Sequence, residues 1–445
     1  MHYSASMSLS LETATDLVAK IKAGEITSQD LVRDCLERIA QTDGVVKAWA
    51  HLDEAHALAQ AKALDEARTN GKPMGPLHGI PVGIKDIIDT ADMPTEYGAS
   101  AFAGRQPLAD ATLVAKLREA GAVILGKNVT TEFTFLSPGP TTNPHNPAHT
   151  PGGSSSGSAA AVAAGHVPLA VGSQTGGSVI RPASFCGVIG LKPSQGMISR
   201  AGTLETSESL DQIGVFGRTL QDVAMLTDAL SGHDAADGMT YARAKPNLSA
   251  GALAEAPLEP NFVWFDLPFE DRLDDDAREG LAELREVLGD QVEPFPLPES
   301  LGNIIDHHRV IHQYELRRHL DQAYAREPNP YFLEVKQNAL DPSDEEYGHS
   351  LAAREAARSF FAELSHDFDA ILTPAATGQA PLGLEHTGDS IFCILWTFCG
   401  LPSLTLPILE GADGLPIGVQ LVAGLEEDDR LCRTAQWLLN FLDQS

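Results

Sequence analysis

Apolar and polar residues along this chain repeat with two periods, and the two alternate. In "ITSQDLVRDCLERIA" apolar residues recur every three or four positions behind Thr27 and Asp30, which have the spacing of a capping box, so a capped helix is predicted. "DEAHALAQAKALDEARTNG" reads as a second helix, stopped by Gly71. "IPVGIK" is a short β-branched strand framed by Gly and Pro. "DATLVAKLREAGAVILGKN" reads as a capped helix, a glycine stop at Gly121 and a strand. An Ala-rich helix is expected from about Ser156 to Ala164, then a strand running into a glycine-rich turn in "VPLAVGSQTGGS". "TLQDVAMLTDALSG" closes this half as a capped helix with a glycine end. Strands alternating with helices in this way predict an α/β protein with a largely parallel or mixed sheet, while length alone leaves one domain or two open.

The pattern changes over residues 236–350, where Pro and acidic residues rise and only "VWF" and a helix near "DDAREGLAELREVLG" stand out. This stretch is expected to be a variable substrate cover on a core formed by about 75–235 and 366–445. The core pattern returns in "FDAILTP", "GLPSLTLPI", "GLPIGVQLVAG" and a last helix, "DDRLCRTAQWLLNFL".

Composition narrows the partners. Acidic residues outnumber basic ones 61 to 31 across 445 residues, a formal charge of −30. Such a surface repels nucleic acid and anionic membranes at long range, so neither is an expected partner. No stretch approaches the ~20 apolar residues of a membrane span. The N-terminal text has no basic region followed by an apolar run, so a secretion signal is not expected. The five cysteines are scattered and show no zinc spacing, which predicts reduced thiols, a cytoplasmic setting and no metal.

The densest candidate chemistry is "PGGSSSGS" at 151–158. A flexible linker does not fit, because patterned sequence lies on both sides. A phosphate loop does not fit either. The nearest text, "GAVILGKN" at 121–128, has Asn128 where a Ser or Thr would hold magnesium, and its middle is a buried strand. "GSSSG" matches G-x-S-x-G with Ser155 central, but a proline-rich approach cannot supply the strand that a nucleophile elbow needs. A serine esterase of that type, with His386 nominated as its histidine, stays as an alternative. Ser178 offers more. It follows the strand-like "PLAV" through Gln174, Thr175, Gly176 and Gly177, a turn able to aim successive N–H groups into one hollow. Lys85 stands near the end of "IPVGIK", where a lysine is ordinarily exposed.

Taken together, "GPLHGIPVGIKD" (75–86), "TTNPHNPAHTPGGSSSGSAAAVAAG" (141–165) and "GSQTGGSVIRPASFCGVIGLKPS" (172–194) resemble the amidase signature family. "SLDQIGVFGRTLQD" and "GLPIGVQLVAG" match its text as well. The resemblance implies a single α/β domain with a mixed central β-sheet flanked by helices, and a Ser-cisSer-Lys triad at Ser178, Ser154 and Lys85, with a cis peptide between Gly153 and Ser154. It implies an oxyanion hole from the amides of Thr175, Gly176, Gly177 and Ser178. Ser155 becomes a supporting hydroxyl or a plain loop residue. The expected activity is hydrolysis of a small-molecule amide through a Ser178 acyl-enzyme, without cofactor, and the resemblance admits a homodimer. A lysine base must be neutral, so burial has to lower Lys85 from its ordinary value of about 10.4.

Three matters stay open in the sequence. Many family members read D-T-G-G-S-I-R, whereas here Arg181 stands three residues past Ser178, a spacing resembling bacterial malonamidase. Arg181 either grips a substrate carboxylate or braces the site against an acid such as Asp86 or Asp211. "SLDQIG" at 209–214 also resembles the glutaminase subunit of a tRNA-dependent amidotransferase. The shifted arginine and a chain that closes on its last helix favour a free-standing amidase over that subunit, and the intact Lys and Ser residues argue against a scaffold without chemistry. Finally, His308 and His312 have i, i+4 spacing but lack a third ligand, so with His307 they read as surface or cleft histidines that could line the entrance.

Overall fold

The stretches that read as strands pair into one sheet. A computed structural model describes residues 8–134 and 137–444; the first seven residues, part of the text read for a secretion signal, lie outside it. The strands are β1 (Trp49–Leu52), β2 (Pro81–Lys85), β3 (Val123–Asn128), β4 (Leu169–Gln174), β5 (Ile189–Lys192), β6 (Gln212–Gly217), β7 (Phe262–Asp266), β8 (Val292–Pro296), β9 (Ala370–Pro374), β10 (Ser403–Glu410) and β11 (Pro416–Val422). They form one 11-stranded sheet in the order β1-β3-β2-β4-β6-β5-β10-β11-β9-β7-β8. β2 runs parallel to both β3 and β4, while β4 and β5 pair antiparallel with β6, so the sheet is mixed. Helices flank it, and the whole is a single α/β domain.

Local chemistry explains most of these elements. Thr27 accepts from Asp30 N while the Asp30 carboxylate accepts from Thr27 N, and the helix Ser28–Val46 follows from that reciprocal cap. Thr219 caps Leu220–Leu230 through Asp222 N. The helix Thr112–Glu119 departs from expectation: Ala111 stands at its cap without a side-chain bond, and neighbouring Asp110 accepts from Arg118 Nε instead. The small residues of "SSGSAAAVA" have a steric reason. A Cβ on Gly157 would lie 2.3 Å from the carbonyl oxygen of Ala48 and 2.4 Å from Val129 N, so this helix packs against backbone.

Residues 236–350 hold more structure than their text suggests. They contribute the last two strands of the sheet, β7 and the edge strand β8, and the helices Leu248–Leu253, Asp275–Leu288, Ile304–Arg326 and Pro330–Asn338. Among the described residues no helix is long and apolar enough to cross a membrane.

For function, the decisive feature is the parallel pair β2 and β4. Ile84 sits beside Val171, so the two strands end at the same edge of the sheet. The carboxyl ends of parallel strands are where α/β sheets place their ligands. There β2 delivers Lys85, and β4 delivers Ser173, Gln174 and the turn behind them.

Candidate active site

Lys85 closes a strand that is buried at every position, and its own side chain is fully buried. Its Nζ lies 2.6 Å from Ser154 Oγ and 2.8 Å from Ser173 Oγ. Among the described residues no carboxylate comes within ion-pair distance of it. Burial therefore pushes this amine down from 10.5 to about 7, against the weaker pull of the more distant Asp211. A neutral amine can donate to one hydroxyl and accept from the other.

Ser154 stands in the turn ahead of the helix Ser156–Ala163, with its carbonyl accepting from Thr131 N at 3.1 Å. The Gly153–Ser154 peptide is cis, as the resemblance implied. Ser155 has a different position. Its hydroxyl donates to the Ser173 carbonyl at 3.1 Å and accepts from Ser173 N at 3.2 Å. It is fully buried and clasps the backbone of the residue whose side chain meets Lys85. An attacking nucleophile cannot occupy that position, so the elbow reading of "GSSSG" loses its serine. His386 is exposed at the cavity rim.

Ser178 and Ser154 line one cavity of about 430 Å³. No hydrogen bond joins the two hydroxyls in this structure; the cavity brings them together, and of the two Lys85 reaches that of Ser154 and not that of Ser178. The turn before Ser178 is pinned through its carbonyls. His308 Nε2 lies 2.8 Å from Thr175 O, Thr397 Oγ1 lies 2.6 Å from Gly176 O, and Arg181 N donates to Gly177 O at 3.0 Å. The Gln174 side chain accepts from Val179 N and Ile180 N at 2.8 and 3.0 Å and donates to Thr397. Gly177 must be glycine, because a Cβ there would lie 2.7 Å from that of Ser390. Among the described residues, no acceptor takes the N–H groups of Gly176, Gly177 or Ser178.

Arg181 lies on the cavity wall, 7% exposed. Its guanidinium donates to Gly388 O at 2.9 Å, Gly153 O at 2.6 Å and Thr387 Oγ1 at 3.1 Å, and its Nε has no partner. It does not brace Asp86 or Asp211. Asp86 faces Lys127 at 3.6 Å, and Asp211 accepts from Thr175 Oγ1 at 2.5 Å and from Thr206 N at 2.6 Å. Burial lowers the Arg181 pKa, yet the guanidinium stays a cation, and among the described residues no carboxylate pairs with it.

His308 and His312 line the cavity, whereas His307 turns away to Ser350. Among the described residues no group of three His, Cys, Asp or Glu side chains is placed to hold a metal ion. A larger cavity of about 570 Å³ holds none of the candidate residues, and of its arginines Arg105 and Arg200 are paired with Asp89 and Asp237. The sequence motifs single out neither Ser173 nor Thr397, although Ser173 stands inside the glycine-rich segment; Gln174 reads there only as part of the turn, and His308 only as a cleft histidine.

The sheet and the polar cavity at the carboxyl ends of its strands define an α/β enzyme of the hydrolytic kind. The amidase family model matches residues 30–432, and the chain belongs to the amidase family. It is 33% identical over 474 residues, 95% of each chain, to a Rhodopirellula baltica protein named as one of the subunits of Glutamyl-tRNA(Gln) amidotransferase. Its fold matches the solved peptide amidase of Stenotrophomonas maltophilia with a TM-score of 0.80 at 29% identity, covering 98% of this chain and 97% of that one. It also matches 6-aminohexanoate cyclic dimer hydrolase with a TM-score of 0.85 at 25% identity, covering 97% of each.

Proposed function

We propose that the protein hydrolyses a carboxamide of a small polar substrate to a carboxylate and ammonia or amine, through an acyl-enzyme on Ser178. The observation that carries this is the buried Lys85 amine, without a carboxylate partner among the described residues and 2.6 Å from a serine that opens on the same cavity as Ser178. Ser154 gives its proton to neutral Lys85 and takes one from Ser178 as the latter's oxygen attacks the amide carbonyl. The N–H groups behind Ser178 hold the oxyanion. The relay then returns the proton to the leaving nitrogen as the C–N bond breaks. Water, deprotonated by the same relay, cleaves the ester and releases the acid. Residues 236–350 act as the cover, with the helix Ile304–Arg326 supplying His308 and His312 to the wall.

The substrate class follows from the lining. Arg181 is a buried cation without an anionic partner among the described residues, which supports an amide that also carries a free carboxylate. The size of the cavity, about 430 Å³, suits a small molecule.

A second reading is the glutaminase subunit of a tRNA-dependent amidotransferase. The curated relatives support it better than they support a free-standing amidase, since the one from Rhodopirellula baltica is named for such an enzyme and aligns along 95% of both chains. Glutamine carries both a primary carboxamide and a carboxylate, so the same site would serve. With a charge of −30, this chain would leave RNA contact to its partner subunits.

One experiment separates these. The purified chain is given glutamine and matched pairs of small amides, with and without a carboxylate, and ammonia is measured beside Ser178→Ala. Release by the chain alone, lost in Ser178→Ala, is expected. Release from glutamine only after partner subunits are added would establish the second reading. Turnover unchanged in Ser178→Ala would overturn both.

A further inference from the structure

The helix Ile304–Arg326 comes from the stretch least like a catalytic scaffold, yet it touches the turn behind the nucleophile. His308 is 8% exposed, and its Nε2 is 2.8 Å from Thr175 O. A carbonyl oxygen only accepts, so Nε2 carries the hydrogen. Burial, helped by the neighbouring His312, pushes this imidazole down to about 4, which keeps the ring neutral in the neutral range.

We infer that His308 is a positioning residue for the oxyanion-binding turn: by donating to the Thr175 carbonyl it sets the plane of the Thr175–Gly176 peptide and so aims the Gly176 N–H at the substrate oxygen. The inference rests on the acyl-enzyme reading above. This peptide is trans, so its C=O and N–H point opposite ways, and fixing one fixes the other. The next plane is held in the same manner. Thr397 Oγ1, 2.6 Å from Gly176 O, fixes the peptide whose N–H belongs to Gly177. Glycines have few conformational constraints of their own, so without these contacts both planes can turn. Among the N–H groups of this turn that the described residues leave without an acceptor are those of Gly176 and Gly177, which follow the carbonyls held by His308 and Thr397, and that of Ser178. Donors left unpaired at a cavity wall are available to a ligand.

The helix is also anchored firmly enough for this task. Glu315 lies seven residues beyond His308, two turns on and on the same face. It accepts from Ser209 N at 2.9 Å, Ser209 Oγ at 2.5 Å and Tyr347 Oη at 2.7 Å, and also from Ser207 Oγ. The segment it holds carries Asp211, which accepts from Thr175 Oγ1. One helix therefore fixes Thr175 twice, by its carbonyl directly and by its hydroxyl through the 207–211 turn.

The test uses a fluorophosphonate, which needs no knowledge of the substrate. Ser178 Oγ forms a bond to phosphorus, fluoride leaves, the serine proton passes to the relay, and the phosphoryl oxygen takes the oxyanion position. Labelling of Ser178 is followed by mass, beside kcat and KM on whichever amide is turned over and a thermal melt of each variant. His308→Leu is expected to slow labelling and lower kcat by about 10- to 100-fold, a fraction of what a lost oxyanion donor removes, with KM changed less than about 3-fold. His308→Gln keeps a neutral N–H donor of similar reach and should recover to within about 5-fold of wild type. His308→Asn, a methylene shorter, should stay slow, and this pair decides the matter if His308→Leu does not fold. Wild-type labelling in His308→Leu, or Gln as slow as Asn with native melts, would overturn the inference. Failure of wild type itself to label at Ser178 would instead overturn the acyl-enzyme reading beneath it.

Discussion

Lys85→Met should separate the stability of this protein from its activity, and in a pH-dependent way. Methionine has similar length and no charge. In the unfolded chain Lys85 keeps its proton to about pH 10.5, while in the folded chain it loses it at about 7. Between those values the unfolded state binds a proton that the folded state does not, so the lysine weakens folding, and the weakening fades as pH rises. Each pH unit in this window is worth about 1.4 kcal/mol. The penalty is then about 4 kcal/mol at pH 7 and about 2 kcal/mol at pH 9, and it is flat below pH 7, where both states are protonated. Methionine removes it but leaves the hydroxyls of Ser154 and Ser173 without their amine, at about 1–2 kcal/mol each regardless of pH. At pH 7 the variant should be as stable as wild type or up to about 2 kcal/mol more stable, and wild type should gain on it by about 2 kcal/mol between pH 7 and 9. The other buried lysines, Lys127 and Lys192, are lowered to about 8 and about 7 but titrate alike in both chains and cancel. Urea unfolding at the two pH values reads the difference, and an amide-hydrolysis assay should find the variant inactive. A stability difference that does not move with pH would show that Lys85 is not held neutral, and a relay that begins at this amine would fall with it.

Activity itself should rise with pH through about 7, because the charged form of Lys85 cannot accept a proton; a flat kcat/KM profile from pH 5 to 9 would contradict a lysine base. Ser154→Ala should leave the fold intact and slow hydrolysis by about 100-fold or more, since Lys85 then has no bridge to Ser178, and steady-state rates beside circular dichroism check it. Arg181→Ala should cost carboxylate-bearing amides about 30- to 150-fold in kcat/KM and neutral ones far less, with Arg181→Lys recovering part; an equal loss on both would make Arg181 a structural brace of the Gly153 and Gly388 carbonyls.

What the sequence discloses of this fold depends on where each residue gets its partner. Thr27 and Asp30 announce the helix Ser28–Val46 because the two ends of the capping box lie three residues apart. "DDRLCRTAQWLLNFL" coincides with the helix Asp428–Leu442 because its apolar residues form one stripe. Lys85, Ser154 and Ser178 are legible for another reason: each stands in a short segment of unusual composition. The helix Ile391–Cys399 has neither signal. "IFCILWTFC" is apolar almost throughout, so periodicity cannot tell a buried helix from a strand, and the one hydroxyl it contributes, Thr397, looks incidental. Its importance comes from the Gly176 carbonyl, 221 residues away.

The helix Ile304–Arg326 carries that argument further. A helix is read from its sequence by assuming that the face turned inward is apolar. Here part of the inward face is His308, His312 and Glu315, because it meets the turn before Ser178 and the loop that carries Asp211. The same substitution of polar for apolar residues both blurred the helical pattern and placed donors and acceptors against the site. A long segment whose apolar periodicity fades while its helix-forming residues persist is therefore a place to look for contacts to a functional site. In this protein such contacts fall within residues 236–350, which on composition alone look like a plain cover.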